Sequence, residues 1–86
     1  MQEVVEVGKR LNITATNATL RGNKNLMGVF VSQASAAPTL KVADSAGTIM
    51  NTLTPEAGRY YPLPCETIGT ITVTISGTVD ATVFYR

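Results

Sequence analysis

The side chains that could do chemistry in this chain are few and scattered. There is no histidine among its 86 residues, so the commonest general base is missing. A serine or cysteine nucleophile needs such a base within hydrogen-bond reach. The acidic residues are Glu3, Glu6, Asp44, Glu56, Glu66 and Asp80. Acid–base work needs two positioned groups, and these six fall in different segments: Asp44 and Glu56 in turns, Glu66 in a linker, Asp80 outward on the last strand. Cys65 is the only cysteine, which excludes a disulfide within one chain. It follows a proline and lacks cationic neighbours that would favour the thiolate, so it reads as a buried structural thiol, in keeping with a protein made in a reducing cytoplasm. No cofactor and no metal site is expected. Asn12-Ile13-Thr14 and Asn17-Ala18-Thr19 match the glycosylation pattern, a chance event in a threonine-rich chain. The remaining cluster is Arg59-Tyr60-Tyr61. Arginine and tyrosine are favoured interface anchors. Alternation along a strand would put one tyrosine in the core and leave the other at the rim. Phe84 and Arg86 pose the same choice near the C-terminus.

The elements that must position these residues are strands. In residues 67–86, Ile71, Val73 and Ile75 alternate with threonines, and Val79, Ala81, Val83 and Tyr85 resume the pattern after Gly77. A period of two places one set on each face of a sheet. Ser76-Gly77-Thr78 is read as the turn of a terminal hairpin. Phe84 then points away from the face of Val83 and Tyr85, and an apolar residue there wants a second layer. Earlier, Leu11, Ile13 and Ala15 share a face, and Leu20 extends the set. Residues 21–25 (RGNKN) form a polar loop. Residues 26–32 (LMGVFVS) are a nearly continuous apolar run, the mark of a central strand, with Gly28 at a bulge or close backbone approach. Residues 33–38 (QASAAP) read as a loop. Leu40 and Val42 face one way, Lys41 the other. Asp44-Ser45-Ala46-Gly47 is a turn with aspartate first and glycine last, and residues 48–54 return as its hairpin partner. After a second turn at residues 55–58, residues 59–63 form a short strand that Pro62 and Pro64 confine to an edge.

Seven or eight short strands at such intervals argue for a small all-β antiparallel sandwich, jelly-roll-like or Greek-key. The whole chain, 1–86, is one domain; residues 3–7 (EVVEV), closed by Gly8, read either as a first strand or, with residues 1–8 as an N-terminal arm, as a segment in which Val4 and Val5 would meet a neighbour. The expected core is Leu40, Val42, Ile71, Val73, Ile75, Val79, Ala81 and Val83.

Composition bears on partners. Only 15% of residues are charged and thirteen are threonine. Monomers usually keep strand faces and edges charged to discourage association. A threonine-rich exterior suits a protein that is permanently docked, although threonine is also simply a good strand former. The net charge of +1 gives no footprint for nucleic acid. No stretch approaches the roughly 20 apolar residues of a membrane span, and the N-terminus lacks the apolar core of a signal peptide.

With the pattern laid out, residues 26–86 resemble small accessory virion proteins of tailed bacteriophages. The residues that carry the resemblance are LMGVFVS, then TLKVADSAGTIMNTLTPEAGRYYPLP, then GTITVTISGTVDATVFY. The shared grammar is a strand ending in aspartate, a Gly-Thr hairpin return, a Tyr-Pro-Leu-Pro segment, and a Gly-Thr-rich close ending in an aromatic pair. Such proteins look like capsid decoration or cement proteins. The resemblance implies a β-sandwich on the outer face of the assembled head, often a homotrimer, bound to the major capsid protein. The candidate interface residues are Val4, Val5, Arg59, Tyr60 and Phe84. The alternative is a head-fibre or tail-associated β-module whose aromatics contact a host glycan during adsorption.

Overall fold

The computed structural model describes residues 8–86. Residues 1–7, which hold the expected first strand or arm with Val4 and Val5, lie outside them. The chain is all-β. The described residues form one antiparallel sheet of six strands: β1 (Lys9–Ile13), β2 (Asn17–Leu20), β3 (Asn25–Asp44), β4 (Gly47–Leu53), β5 (Arg59–Glu66) and β6 (Ile71–Tyr85). Among the described residues, no helix is long and apolar enough to cross a membrane.

Two strands are far longer than expected. β3 spans 20 residues and β6 spans 15. They pair with each other over almost their whole length, from Leu26 opposite Tyr85 to Ala43 opposite Thr72. Each of these strands fuses two that the sequence suggests as separate, while the expected strand over residues 11–16 divides into β1 and β2, so the described residues hold six strands. Ser76-Gly77-Thr78 is therefore not a hairpin turn. Residues 33–38 are likewise not a loop. Both segments belong to the place where the long ladder bends.

That bend has a clear backbone cause. Ser35 pairs with Thr78 and Thr39 with Ser76, so β3 carries two more residues than β6 across this point. Extra residues on one strand curve and twist a sheet locally. Ala36 and Ala37 take positive φ values of 58° and 55°, and Gly77 takes 70° opposite them. A Cβ on Gly77 would stand 2.5 Å from the Ala36 carbonyl oxygen and 2.9 Å from that of Ala37. Glycine is required here both for its conformation and for its missing side chain. The expected strand over residues 11–16 is bent at the same level. Thr14 and Ala15 interrupt it, leaving β1 and β2 to pair separately with the two ends of β6. Ala15 is consequently exposed, not inward-facing with Leu11 and Ile13. Thr16 closes the gap: its hydroxyl accepts from the Ile75 N–H at 3.0 Å and donates to the Ile75 carbonyl at 3.2 Å.

The bend brings the far ends of the sheet together. The Ile68 N–H donates to Asp44 Oδ2 at 2.9 Å, the Ser45 N–H to the Ile68 carbonyl at 2.9 Å, and the Thr67 N–H to the Lys24 carbonyl at 2.8 Å. One half of the sheet is β1, the C-terminal part of β6, the N-terminal part of β3, and β5. The other half is β2, β4 and the remainder of the two long strands. Val29, Val31, Ala81 and Val83 from the first half and Leu40, Val42, Ile71 and Val73 from the second belong to one buried cluster. This arrangement is compatible with a two-layered sandwich made from a single folded sheet. Of the expected core, only Ile75 is less than fully buried, and it packs against the cluster.

Candidate docking surface

Register decides what the first half shows to solvent. In antiparallel pairs, directly opposed residues share a face. Leu11, Val83, Val29 and Tyr61 are mutually opposed across β1, β6, β3 and β5 and form an inward row. The next row therefore points out: Asn12, Thr82, Phe30 and Tyr60. So does the row of Arg10, Phe84, Gly28 and Pro62. Three aromatic rings and a proline thus sit on one outer face.

The rings are organised around Gly28. β3 bulges between Leu26 and Gly28, where two steps of β3 meet one step of β6. The sequence allows either a bulge or a close approach at this position, and Gly28 is both. A Cβ here would collide with the Tyr60 hydroxyl, and would lie 2.6 Å from the Tyr61 carbonyl oxygen. Tyr60 lies over this gap and meets Phe84 edge to face, with centroids 6.4 Å apart and planes at 62°. That is a favourable aromatic geometry. Tyr60 remains 43% exposed, and Phe30 and Phe84 are half-buried.

Flanking polar groups frame the patch. Asn12 Nδ2 donates to Asp80 Oδ1 at 2.7 Å and to Thr82 Oγ1 at 3.2 Å. Asp80 therefore does point outward, as its alternation requires, and it orders a side-chain amide. Arg10 stands beside Phe84 and is exposed.

Of the candidate interface residues, the structure brings Tyr60 and Phe84 together and leaves Arg59 apart. Arg59 pairs with Val31, one step along β5 from Tyr60. Its guanidinium lies 5.6 Å from the Tyr61 ring centroid and 3.5 Å from Glu56 Oε2. Tyr61 is the inward tyrosine, packed against the core, and its hydroxyl accepts from the Glu56 N–H at 2.9 Å. The rim-and-core division of the tyrosine pair is as alternation demands. Phe30, Gly28, Pro62 and Arg10 complete the patch, and the sequence alone does not single them out as part of it. An outward Phe84 and one rim tyrosine are the local signals. The partners of Phe84 lie on strands 22 to 74 residues away in the chain, and only the register shows them.

An open groove of about 340 Å³ lies between the start of β4 and the end of β5, lined by Asp44, Thr48, Ile49, Cys65 and Glu66 among others. Two of its side chains, Asp44 and Cys65, are shaped by their surroundings. Asp44 Oδ2 accepts from Ile68, and Oδ1 accepts from Ala46 and Gly47 at 2.9 and 3.1 Å. Those N–H groups, Ile68 first, hold its carboxyl below the ordinary aspartate value. Cys65 is pushed the other way, chiefly by burial and secondarily by the negative charge of Asp44. Both effects disfavour its thiolate. Among the described residues, no group of three or more His, Cys, Asp or Glu side chains could hold a metal ion.

Comparison with protein-family models, with curated proteins and with solved structures finds no match to this chain.

Proposed function

We propose that this chain is a structural virion protein of a tailed bacteriophage, a decoration or cement protein that binds the assembled lattice of the major capsid protein. It acts as a homotrimer on the outer surface of the head after synthesis in the host cytoplasm. The observation that carries the reading is the outer aromatic face of Phe30, Tyr60, Phe84 and Pro62 over the bare backbone of Gly28. Aromatic side chains are concentrated at the cores of protein interfaces. A contiguous apolar patch in a small domain marks an interaction surface. The work of such a protein is linkage: a ligand that binds only the expanded lattice stabilises that lattice by mass action.

A second reading takes the same aromatics as a platform for a host glycan, in a head-fibre or tail-associated module. Co-sedimentation separates the two. The purified chain is mixed with expanded heads that lack it, and separately with host cells. Saturable binding to heads and none to cells supports decoration. Binding to cells alone replaces it with adsorption.

A further inference from the structure

We propose that the link between β5 and β6 is an acid-released clasp, held shut by the carboxylate of Asp44 and opening at low pH while the rest of the sheet stays folded. The clasp sits at the end of the sheet away from the bend and is independent of the docking face.

Residues 67–70 carry the chain from the end of β5, in one half of the sheet, to the start of β6, in the other. Two sets of bonds hold them. Thr67 is tied to the loop before β3: its N–H donates to the Lys24 carbonyl at 2.8 Å, and its hydroxyl oxygen accepts from the Lys24 N–H at 3.1 Å. Thr67 is 1% exposed, so this anchor is buried. From Ile68 onward the link is held by the turn between β3 and β4. The Ile68 N–H donates to Asp44 Oδ2, and the Ile68 carbonyl accepts from the Ser45 N–H, both at 2.9 Å. The Thr70 N–H donates to Ser45 Oγ at 3.2 Å, and a longer bond of 3.4 Å joins the Gly69 N–H to Asn23 Oδ1. Gly69, at φ 70°, lies against the turn: a Cβ on it would stand 2.8 Å from that of Ser45. The Ile68 side chain is 55% exposed. This second set therefore depends on hydrogen bonds more than on apolar burial.

Asp44 is the only titratable side chain among these bonds. Its Oδ1 accepts from Ala46 and Gly47 and shapes the turn, while Oδ2 accepts from Ile68 and holds the link. The negative charge strengthens all three bonds. Protonation removes that charge and turns one acceptor oxygen into a hydroxyl. The closed clasp holds the carboxyl below the ordinary aspartate value of 3.8. The clasp is thus at full strength above that value and weakens as pH falls through the lowered one.

The surrounding groups do not supply this response. On β5, Cys65 and Glu66 line the groove beside Asp44. A thiol carries no charge in acid. Glu66 is a like charge, and its protonation relieves repulsion in the closed state. The start of β4, residues 67–70, and Thr72 of β6 opposite Ala43 bring no titratable side chain. Arg21 and Lys24 before β3, and Lys41 on it, are cations whose charge acid leaves unchanged, and the Lys24 ammonium is turned toward Tyr85.

The test is amide hydrogen exchange by nuclear magnetic resonance on the full chain at about pH 6 and about pH 2.5, read as protection factors so that the intrinsic pH effect on exchange is removed. The Ser45, Ala46, Gly47 and Ile68 amides are expected to lose about tenfold or more of their protection at the lower pH. Thr67, on its buried anchor, and Val29 and Val83, on strands paired at both sides, are expected to keep theirs. In Asp44→Asn the same four amides are expected to show the low protection at both pH values. The Asp44 carboxyl carbon resonance, followed in the unaltered chain, gives its titration, and the loss of protection must track it. Ile68 protection that does not respond to pH overturns the proposal. So does a loss shared in step by Val29 and Val83, which is global unfolding. An acid response that persists in Asp44→Asn, or that does not track the Asp44 resonance, also overturns it, since another group is then the switch.

Discussion

Replacing Gly77 with alanine tests the bend on which the fold depends. Two costs combine. The residue sits at φ 70°, in the left-handed region, where an L side chain costs about 1–2 kcal/mol. Its new Cβ would also press on backbone: the Ala36 and Ala37 carbonyl oxygens and the Pro38 Cα at 2.9 Å. Forcing a strand aside to admit a methyl group adds about 1–3 kcal/mol. Gly58 is the internal control. It has φ 78°, but a methyl group added there would meet nothing within 4 Å, so Gly58→Ala carries only the conformational cost. The expected loss is about 2–5 kcal/mol for Gly77→Ala, against about 1–2 kcal/mol for the control. A domain of this length has total stability of roughly 4–13 kcal/mol, so the first variant is severely weakened. Each kcal/mol lowers Tm by about 4–8 °C at this size. Urea denaturation followed by far-UV circular dichroism measures the difference directly. Equal midpoints for the two variants would refute the close crossing of β6 under residues 36–38, and with it the account of why one long sheet folds over.

Other consequences can be checked on the isolated protein. Val73 is 2% exposed within the shared core, and Val73→Ala is expected to cost about 1–3 kcal/mol through lost burial and a residual cavity; an unchanged denaturation midpoint would remove this strand from the core. Asp44 has a carboxyl held below its ordinary value by three backbone N–H groups, Ile68 first, so its stabilising effect is present above the unfolded-state value near pH 4 and is lost as pH falls through the folded-state value. Asp44→Asn should lower stability at pH 7 and flatten the acid limb of the stability curve, and an unaltered acid limb would contradict the role given to this carboxylate. Cys65, with its thiol pKa raised by burial and by Asp44, should react with a disulfide reagent at pH 8 much more slowly in the native protein than in denaturant; similar rates would contradict its protection.

Much of this is readable in the residues themselves. The odd-numbered positions from Ile71 to Tyr85 keep one phase, and burial follows it through Ile71, Val73, Val79, Ala81 and Val83. That unbroken phase across Gly77 is also the clue that β6 is a single strand. Ser-Gly-Thr has the composition of a turn, and here composition points away from what phase implies. A glycine with positive φ serves a hairpin and a sharply bent strand equally well, so the local sequence does not separate them. Pro38 and its small neighbours mislead in the same way, since bulges and loops draw on the same residues. The turn after Asp44 is legible because its aspartate caps it, as the bonds to Ala46 and Gly47 record. The patch is only half legible. An outward Phe84 and one outward tyrosine follow from alternation. That Phe84 and Tyr60 meet over Gly28, with Phe30 beside them and Arg59 elsewhere, follows from pairings between distant strands. No local pattern encodes those.

The measurement that tests the central claim most directly is the temperature at which expanded heads rupture, recorded as the purified chain is added back to heads that lack it. The account predicts a rise that saturates when the binding sites fill, and that is lost with Phe84→Ser. Binding without any rise, or no binding to heads at all, would contradict the proposal that this protein cements a capsid.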